Sequence, residues 1–265
     1  MRDIFDLSGK VAVVTGAARG LGQAAAIGLA EFGADLAAMD LAAEGCRSTV
    51  DTARAAGRKA TAYGCDVSDE TAVRRTVAAI AAAFGHIDIL VNVAGITARV
   101  PTTEISPEQV RRLTEVNYYG TFWMCQAVGA LMVKQGSGAI INMSALGGGM
   151  VGIGRGNAAY CSTKGAIAAL TRDLACEWGP HGVRVNALAP CWFQTDMNAT
   201  SIFARKDFMD QVMTKLPMKR IGTAPDLVGP VVFLASAAST MITGLVLPVD
   251  GGAAATSPIE WREEA

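Results

Sequence analysis

The sequence predicts a single α/β domain, built on a parallel, doubly wound sheet of seven strands with helices on both faces. Hydrophobic residues make up 51% of the chain and charged residues 18%, a balance that suits strands buried on both faces. Short apolar runs alternate with longer helical stretches, the order that builds parallel β–α–β units. No low-complexity linker interrupts the 265 residues, so residues 1–265 are expected to form one domain.

Seven short runs predict the strands, because each is rich in apolar residues and too short for a typical helix. The first two, Lys10–Thr15 and Asp35–Asp40, flank a glycine-rich turn and an Ala-rich stretch. The remaining strands are predicted, in order, at Ala60–Val67, Asp88–Ala94, Ala139–Ser144, Val183–Leu188 and Leu245–Asp250.

Helices are predicted in the segments between these strands, since parallel neighbours need a crossover of a dozen or more residues. The first covers the Ala-rich stretch Gly20–Gly33, and the second is expected to end near Gly57. The others are predicted, in order, at Glu70–Phe84, Pro107–Lys134, Ala158–Trp178 and Pro225–Ala235.

Charge and composition exclude several classes of protein. The net charge is −1 with both signs scattered, so we expect no nucleic-acid partner and no membrane-binding face. No apolar run approaches the roughly 18 residues that span a bilayer. The acidic start, Met1–Asp6, lacks the apolar region of a signal peptide, which favours the cytoplasm. Six cysteines without a CxxC pair and two distant histidines predict no metal site.

The glycine-rich turn Thr15–Gly22 lies between the first strand and the first helix. Glycine lets the backbone approach a pyrophosphate closely, and the helix N-terminus points free N–H groups and its positive dipole end at the phosphates. The strand–turn–helix context that such a motif requires is present. We therefore expect a bound dinucleotide, contacted here by Gly16, Arg19, Gly20, Leu21 and Gly22.

Asp40 ends the second strand about twenty residues beyond this turn, where an acidic side chain would bind the ribose 2′-hydroxyl. A carboxylate accepts hydrogen bonds from that hydroxyl but repels a 2′-phosphate. Leu41 and two alanines follow it, and Arg19 is the one residue nearby that would favour a phosphate. The pattern predicts NAD as the cofactor.

Tyr160 and Lys164 stand at positions i and i+4 of a predicted helix and so share one side of it. A phenol of pKa near 10 loses its proton at neutral pH at a cost of about 4 kcal/mol. An ammonium about 4 Å away supplies roughly that amount at an effective dielectric near 20. Tyr160 is therefore expected to take the proton of an alcohol while a hydride leaves the same carbon for the nicotinamide.

These motifs together resemble the short-chain dehydrogenase/reductase family, and the matches run through nearly the whole chain. The spacing of Thr15–Gly22, the run Asn92–Gly95, the Tyr160–Lys164 pair and the segment Asn186–Thr195 carry the resemblance. It implies a Rossmann fold, a nicotinamide ribose held by Lys164, and a mobile substrate lid over residues 196–220. The further cofactor contacts that it implies are Asp66, Val67, Asn92, Ala94, Gly95, Pro190 and Thr195.

The resemblance also implies two further catalytic residues. Asn117 matches the mid-helix asparagine that relatives use to hold a proton-relay water near the lysine. Relatives usually carry a second serine after the fifth strand, which donates a hydrogen bond to the substrate oxygen. Here the run is Asn142-Met143-Ser144-Ala145, which puts Ala145 at that position and leaves Ser144 as the candidate. Losing such a donor typically costs 10²–10³-fold in rate.

For the substrate, the segments Phe5–Lys10 and Gly95–Pro101 resemble the gluconate 5-dehydrogenase branch of the family. That resemblance places Arg99 at the pocket mouth, where its planar fork could bind a sugar-acid carboxylate. Trp192 is a second candidate for the pocket lining. The expected reaction is hydride transfer between NAD and a secondary alcohol of a sugar acid or polyol.

Two other functions stay open. A 3-oxoacyl-carrier-protein reductase shares the core motifs but normally prefers NADPH, which Asp40 opposes. A catalytically weakened dinucleotide-binding protein that regulates a partner is consistent with Ala145. Relatives are commonly homotetramers, assembled through the long helices after the fourth and fifth strands and through the C-terminal segment, and a tetramer is expected here too.

Overall fold

A computed structural model describes residues 3–149, 156–194 and 206–255. It contains one parallel sheet of seven strands in the order β3-β2-β1-β4-β5-β6-β7. The strands are β1 (Val11–Thr15), β2 (Asp35–Asp40), β3 (Ala60–Gly64), β4 (Ile89–Asn92), β5 (Gly138–Met143), β6 (Val183–Pro190) and β7 (Val246–Val249). The predicted fold class, the seven strands and their parallel direction are confirmed.

Helices cover both faces of this sheet. In the described residues they are α1 (Gly20–Glu31), α2 (Arg47–Ala55), α3 (Glu70–Phe84), α4 (Pro107–Leu113), α5 (Gly120–Gln135), α6 (Ala158–Trp178), α7 (Lys206–Lys215) and α8 (Pro225–Ala235). No helix among the described residues is long and apolar enough to cross a membrane.

Two helical segments differ from the sequence prediction. The single helix expected over Pro107–Lys134 contains a π-helical segment, Thr114–Tyr119, between α4 and α5. Helix α7 falls in the segment predicted to be an irregular lid, whose residues 196–205 lie outside the described ranges. Phe208, Val212 and Leu216 recur every four residues and are buried, a helical spacing that was the available signal for α7.

The core consists of two apolar layers, one on each face of the sheet. Along β1, Ala12 and Val14 pack with Leu29 of α1 in the first layer, whereas Val13 packs with Ile80 of α3 in the second. Side chains alternate between the faces of a strand, and both faces are covered, so every one of these residues is apolar and buried.

The order of the strands creates a crevice. After β1 the sheet grows outward through β2 and β3, and then from β1 in the other direction through β4. The carboxyl ends of β1 and β4 therefore lie side by side where the connections diverge, the usual ligand position in open α/β sheets. Thr15, which ends β1, joins the two ends: its hydroxyl accepts hydrogen bonds from the backbone N–H groups of Val93 and Ala94, both at 3.1 Å.

Candidate active site

A cavity of about 470 Å³ lies along this carboxyl edge. It extends from the end of β2 past the glycine-rich turn to the start of α6 and brings together most of the residues singled out in the sequence. Those that line it are Gly16, Arg19, Gly20, Leu21, Gly22, Asp40, Leu41, Asp66, Val67, Ala94, Gly95, Arg99, Ser144, Tyr160, Lys164, Pro190 and Trp192. Thr195 lies outside the described residues.

The glycine-rich turn is shaped for close backbone approach. Gly16 has φ +69°, and a Cβ there would lie 2.9 Å from the backbone nitrogen of Ala94. A Cβ on Gly22 would collide with the carbonyl group of Gly16. Arg19 precedes α1 without capping it through its side chain, so the first N–H groups of α1 stay available to an anion. This cradle fits a dinucleotide pyrophosphate.

Asp40 lies at the rim of the cavity with its carboxylate held in place. One oxygen accepts a hydrogen bond from the backbone N–H of Ala18 at 3.0 Å, and the other accepts one from Leu41 at 2.8 Å. These bonds fix the end of β2 against the glycine-rich turn. Each carboxylate oxygen keeps acceptor capacity for a ribose hydroxyl.

The far end of the cavity is lined by Asp66. Its carboxylate accepts hydrogen bonds from the backbone and hydroxyl of Ser68 at 2.9 and 2.6 Å and from Arg112 at 3.2 Å. Burial raises the pKa of Asp66, but these hydrogen bonds outweigh it and hold that pKa below its usual range. The carboxylate is therefore ionised and oriented, as recognition of an adenine amino group requires. Arg112 also lines the cavity, and the sequence analysis missed it because it lies 46 residues away in the chain.

Asn92 is a correction to the expected cofactor contacts. Its side chain does not line the cavity but is buried between β4 and β5, where it donates to Asn142 at 2.9 Å. Asn142 in turn donates to Thr171 of α6 at 3.0 Å. The amide of Asn92 faces into the layer of α5 and α6, because successive side chains of a strand point to opposite faces. Its role in this structure is to join β4, β5 and α6.

Lys164 reaches the cavity from one turn beyond Tyr160. Its side chain is 4% exposed, and its Nζ donates a hydrogen bond to the backbone carbonyl of Met143 at 2.7 Å. The Nζ lies 5.8 Å from the centre of the Tyr160 ring. Burial lowers the pKa of Lys164 to about 8. The predicted pairing on one side of α6 is confirmed.

The expected electrostatics of Tyr160 require a correction. The pKa of Tyr160 is raised to about 12, chiefly by burial and to a smaller extent by Cys161, while the positive charge of Arg99 lowers it. Burial dominates this shift, because the phenolate would be poorly solvated in the cavity. Arg99 is a charge that favours the phenolate here.

Asn117 is buried and does not line the cavity. Its Oδ1 accepts from the backbone N–H of Ile96 at 2.8 Å, and its Nδ2 donates to the Ile96 carbonyl at 2.9 Å and to Thr163 of α6 at 3.2 Å. A Cβ on Gly95 would lie 3.1 Å from Asn117 Oδ1 and 3.7 Å from Lys164 Nζ. Asn117 thus holds the loop after β4 beside Lys164, and its π-helical setting is common at functional sites.

Ser144 and Ala145 follow β5 and both line the cavity. Ser144 is 1% exposed, and its hydroxyl donates to the backbone carbonyl of Lys164 at 2.9 Å. A hydroxyl has one proton to donate, so in this geometry Ser144 secures α6 and does not present a donor to a substrate. Ala145 has no hydrogen-bonding side chain.

Arg99 and Trp192, the predicted substrate contacts, line the same cavity as Tyr160. The cavity is also lined by residues that were not predicted from the sequence, among them Asn157, Cys161 and Cys191. Asn157 and Cys161 lie close to Tyr160 in the chain, and this proximity could have predicted that they line the cavity. Within the described ranges, no cluster of histidine, cysteine and acidic side chains is arranged to hold a metal ion.

Known proteins resemble this chain over almost its full length. Residues 16–254 match a family model described as enoyl-(acyl carrier protein) reductase. The chain is 41% identical to gluconate 5-dehydrogenase of Gluconobacter oxydans, covering 94% of this chain and 96% of the relative. It is 39% identical to D-threitol dehydrogenase of Mycolicibacterium smegmatis, covering 94% of each.

Solved structures of dehydrogenases are also similar to this chain. A gluconate 5-dehydrogenase from Burkholderia cenocepacia, in complex with NADP and tartrate, is similar with a TM-score of 0.92 and 36% identity, covering 96% of this chain and 99% of that one. A short-chain alcohol dehydrogenase structure from Sinorhizobium meliloti is similar with a TM-score of 0.93 and 38% identity, covering 96% and 100%. The chain therefore belongs to the short-chain dehydrogenase/reductase family and is an NAD(P)-dependent oxidoreductase that acts on CH–OH groups.

Proposed function

We propose that this protein is an NAD-dependent dehydrogenase of sugar acids or related polyols, with Tyr160 as its acid and base. The observation that carries the substrate class is the position of Arg99. It lines the same cavity as Tyr160 and lies close enough for its charge to lower the pKa of the phenol. A cation so near the reacting hydroxyl suits a small substrate that carries a carboxylate a few bonds from the oxidised carbon.

The relatives support the same class. Gluconate 5-dehydrogenase and D-threitol dehydrogenase oxidise hydroxyl groups of a sugar acid and a polyol, as their names state. NAD is favoured over NADP by Asp40, whose carboxylate faces the position of a ribose 2′-substituent. A related gluconate 5-dehydrogenase structure holds NADP, so the preference for NAD proposed here depends on Asp40.

The geometry suggests the following mechanism. Asp40, Asp66 and the N-terminus of α1 would hold the dinucleotide, which supplies the hydride acceptor when bound. Tyr160, as phenolate, takes the proton of the substrate hydroxyl while the hydride leaves the same carbon, so that an alcohol becomes a ketone. In the reverse direction Tyr160 protonates the carbonyl oxygen. Lys164, fixed by the Met143 carbonyl, would orient the nicotinamide ribose, and Arg99 would hold the substrate carboxylate.

A coupled absorbance screen tests this proposal. Purified protein is assayed with both NAD and NADP against gluconate and related sugar acids, polyols, ketoses and 3-oxoacyl thioesters. We expect turnover of sugar acids or polyols with NAD. Turnover of 3-oxoacyl thioesters with NADPH alone would contradict the proposal and favour a carrier-protein reductase.

Replacing Arg99 tests the carboxylate contact. We expect Arg99→Ala to raise KM for a sugar acid by about tenfold or more, because a charge-assisted hydrogen bond is lost. KM for a neutral polyol should change little. Equal changes for both substrates would contradict the role of Arg99. Arg220, which is bound to Asp226 through two hydrogen bonds outside the cavity, gives a control variant, Arg220→Ala, that should not discriminate between the two substrates.

A further inference from the structure

The reaction needs a second hydrogen-bond donor at the substrate oxygen. When a ketone is reduced, negative charge builds on that oxygen before the proton of Tyr160 is fully transferred. A fixed donor aimed at this charge accelerates such reactions strongly. The residues expected to provide it do not do so here, since Ser144 donates to the Lys164 carbonyl and Ala145 has no donor.

Asn157 lies at the cavity wall and does not cap α6 through its side chain. It is the residue before α6, where asparagine usually caps the helix through its side chain, yet its side chain makes no such bond. The residue is only 6% exposed, and the structure records no hydrogen bond from its amide to any described residue. It lines the cavity together with Tyr160.

Asn157 and Tyr160 lie close together in the chain and line the same cavity. Asn157 and Tyr160 stand at positions i and i+3 at the start of α6, and residues so spaced lie on the same face of a helix. Asn157 is nearly buried and lines the cavity, and a polar group in such a place favours a hydrogen bond, so a polar group of the ligand is a fitting partner for its amide. Lys164 has other partners: one of its three Nζ protons goes to the Met143 carbonyl, and the proposed mechanism uses the others for the nicotinamide ribose.

We propose that Asn157 donates a hydrogen bond from its Nδ2 to the reacting oxygen of the substrate, in the place of a serine at position 145. The inference rests on the proposed function, since it assumes a carbonyl oxygen held at Tyr160. The amide stabilises the charge on that oxygen, while the proton still comes from Tyr160. Asn157 is thus a catalytic residue that contacts the substrate.

Kinetics of Asn157→Ala test the assignment with any substrate that the wild-type enzyme turns over. We expect kcat and kcat/KM to fall by about 10²-fold, with NADH affinity, measured by fluorescence, unchanged. The pH profile should keep its midpoint, because Tyr160 still titrates. Ser162→Ala is the matched control: Ser162 lies in the same turn of α6, is exposed, and bonds the Ala158 carbonyl outside the cavity. It should behave as wild type.

Two further variants keep the test decisive if Asn157→Ala folds poorly. Asn157→Asp keeps the shape but removes the donor, and it should lose activity to a similar extent while still binding NADH. Adding a serine, as Asn157→Ala/Ala145→Ser, should restore part of kcat, because the hydroxyl provides a donor at the same oxygen.

Different results would contradict the role of Asn157 and the proposed function. Wild-type kcat in Asn157→Ala or Asn157→Asp would overturn the role of Asn157, as would a 10²-fold loss in Ser144→Ala alone. Failure of the wild-type protein to turn over any sugar acid or polyol would instead overturn the proposed function and, with it, this assignment.

Discussion

At the scale of single residues, the chemistry of this site is governed by burial more than by the pairing of charges. Tyr160 and Lys164 have their pKa values moved in the directions that burial alone dictates, to about 12 and about 8. Both shifts favour the uncharged side chains. The phenol is consequently a better acid catalyst for ketone reduction at neutral pH than a base for alcohol oxidation.

This electrostatic balance predicts opposite pH dependences for the two directions. Oxidation needs the phenolate, whose fraction rises about tenfold per pH unit below the pKa, so kcat/KM for oxidation should rise steadily from about pH 6 to about pH 10. Reduction needs the neutral phenol and should stay level until the pH approaches that pKa. Initial rates in both directions measure this. Oxidation that slows as the pH rises would contradict Tyr160 as the base, and Tyr160→Phe should abolish both activities.

The proposed preference for NAD depends on one side chain, Asp40. We expect Asp40→Ser to shift the ratio of kcat/KM for NAD over NADP by at least about tenfold towards NADP, because the repulsion of a 2′-phosphate is removed. NAD affinity should also fall, since the bond from the Ala18 N–H is weakened. Glu44→Gln, which removes a nearby exposed charge outside the cavity, is the control. An unchanged ratio in Asp40→Ser would show that Asp40 does not select the cofactor.

At the scale of elements, the loop after β5 positions α6 and with it Tyr160 and Lys164. Gly149 has φ +79°, and a Cβ there would lie 2.7 Å from the carbonyl carbon of Lys164 and 2.8 Å from the carbonyl oxygen of Cys161. The loop backbone thus lies directly against α6, a contact that no other residue type permits.

We therefore expect Gly149→Ala to lower the free energy of unfolding by about 2–3 kcal/mol, from backbone strain and the displaced helix, and to lower kcat. Gly136→Ala isolates the strain, because Gly136 has φ +72° but open space around its Cβ position. It should cost about 1 kcal/mol and leave kcat unchanged. Urea denaturation and steady-state kinetics measure both variants, and equal behaviour would contradict the importance of the helix contact.

Sequence patterns predicted the positions of several helices well, but they did not predict the irregular segment within one helix. Helices α3, α6 and α8 agree with prediction at both ends, because apolar spacing and a proline or capping residue mark them locally. The π-helical segment around Asn117 could not be foreseen, since the bonds of Asn117 to Ile96 and Thr163 that accompany it come from distant parts of the chain.

At the scale of the whole molecule, the order of strands brings the ends of β1, β2, β4, β5 and β6 to one edge, where the cavity forms. The outer surface of α5 has a second noteworthy feature. Tyr119, which is 44% exposed, stacks on Trp123 with ring centres 6.0 Å apart. Exposed aromatic groups of this kind often mark subunit contacts.

We propose a homotetramer that uses this surface. Light scattering after gel filtration should give about four times the chain mass of 27.4 kDa. Tyr119→Glu should reduce the mass, because a buried charge would oppose association, whereas Phe32→Glu, at the end of α1 on the opposite face of the sheet, should not. A wild-type mass equal to that of a single chain would refute the tetramer.

The sequence by itself determined the fold class, the glycine-rich turn, the position of Asp40 at the end of β2 and the Tyr160–Lys164 pair, because each follows from local spacing within one strand, turn or helix. Only the tertiary structure decided that Asn92 is buried between strands, that Ser144 is committed to α6 and that Asn157 lines the cavity. Those outcomes depend on which backbone groups from distant segments are close enough to take a hydrogen bond. The physical reason is that a side chain has few donors and acceptors, and contacts across the folded chain use them first.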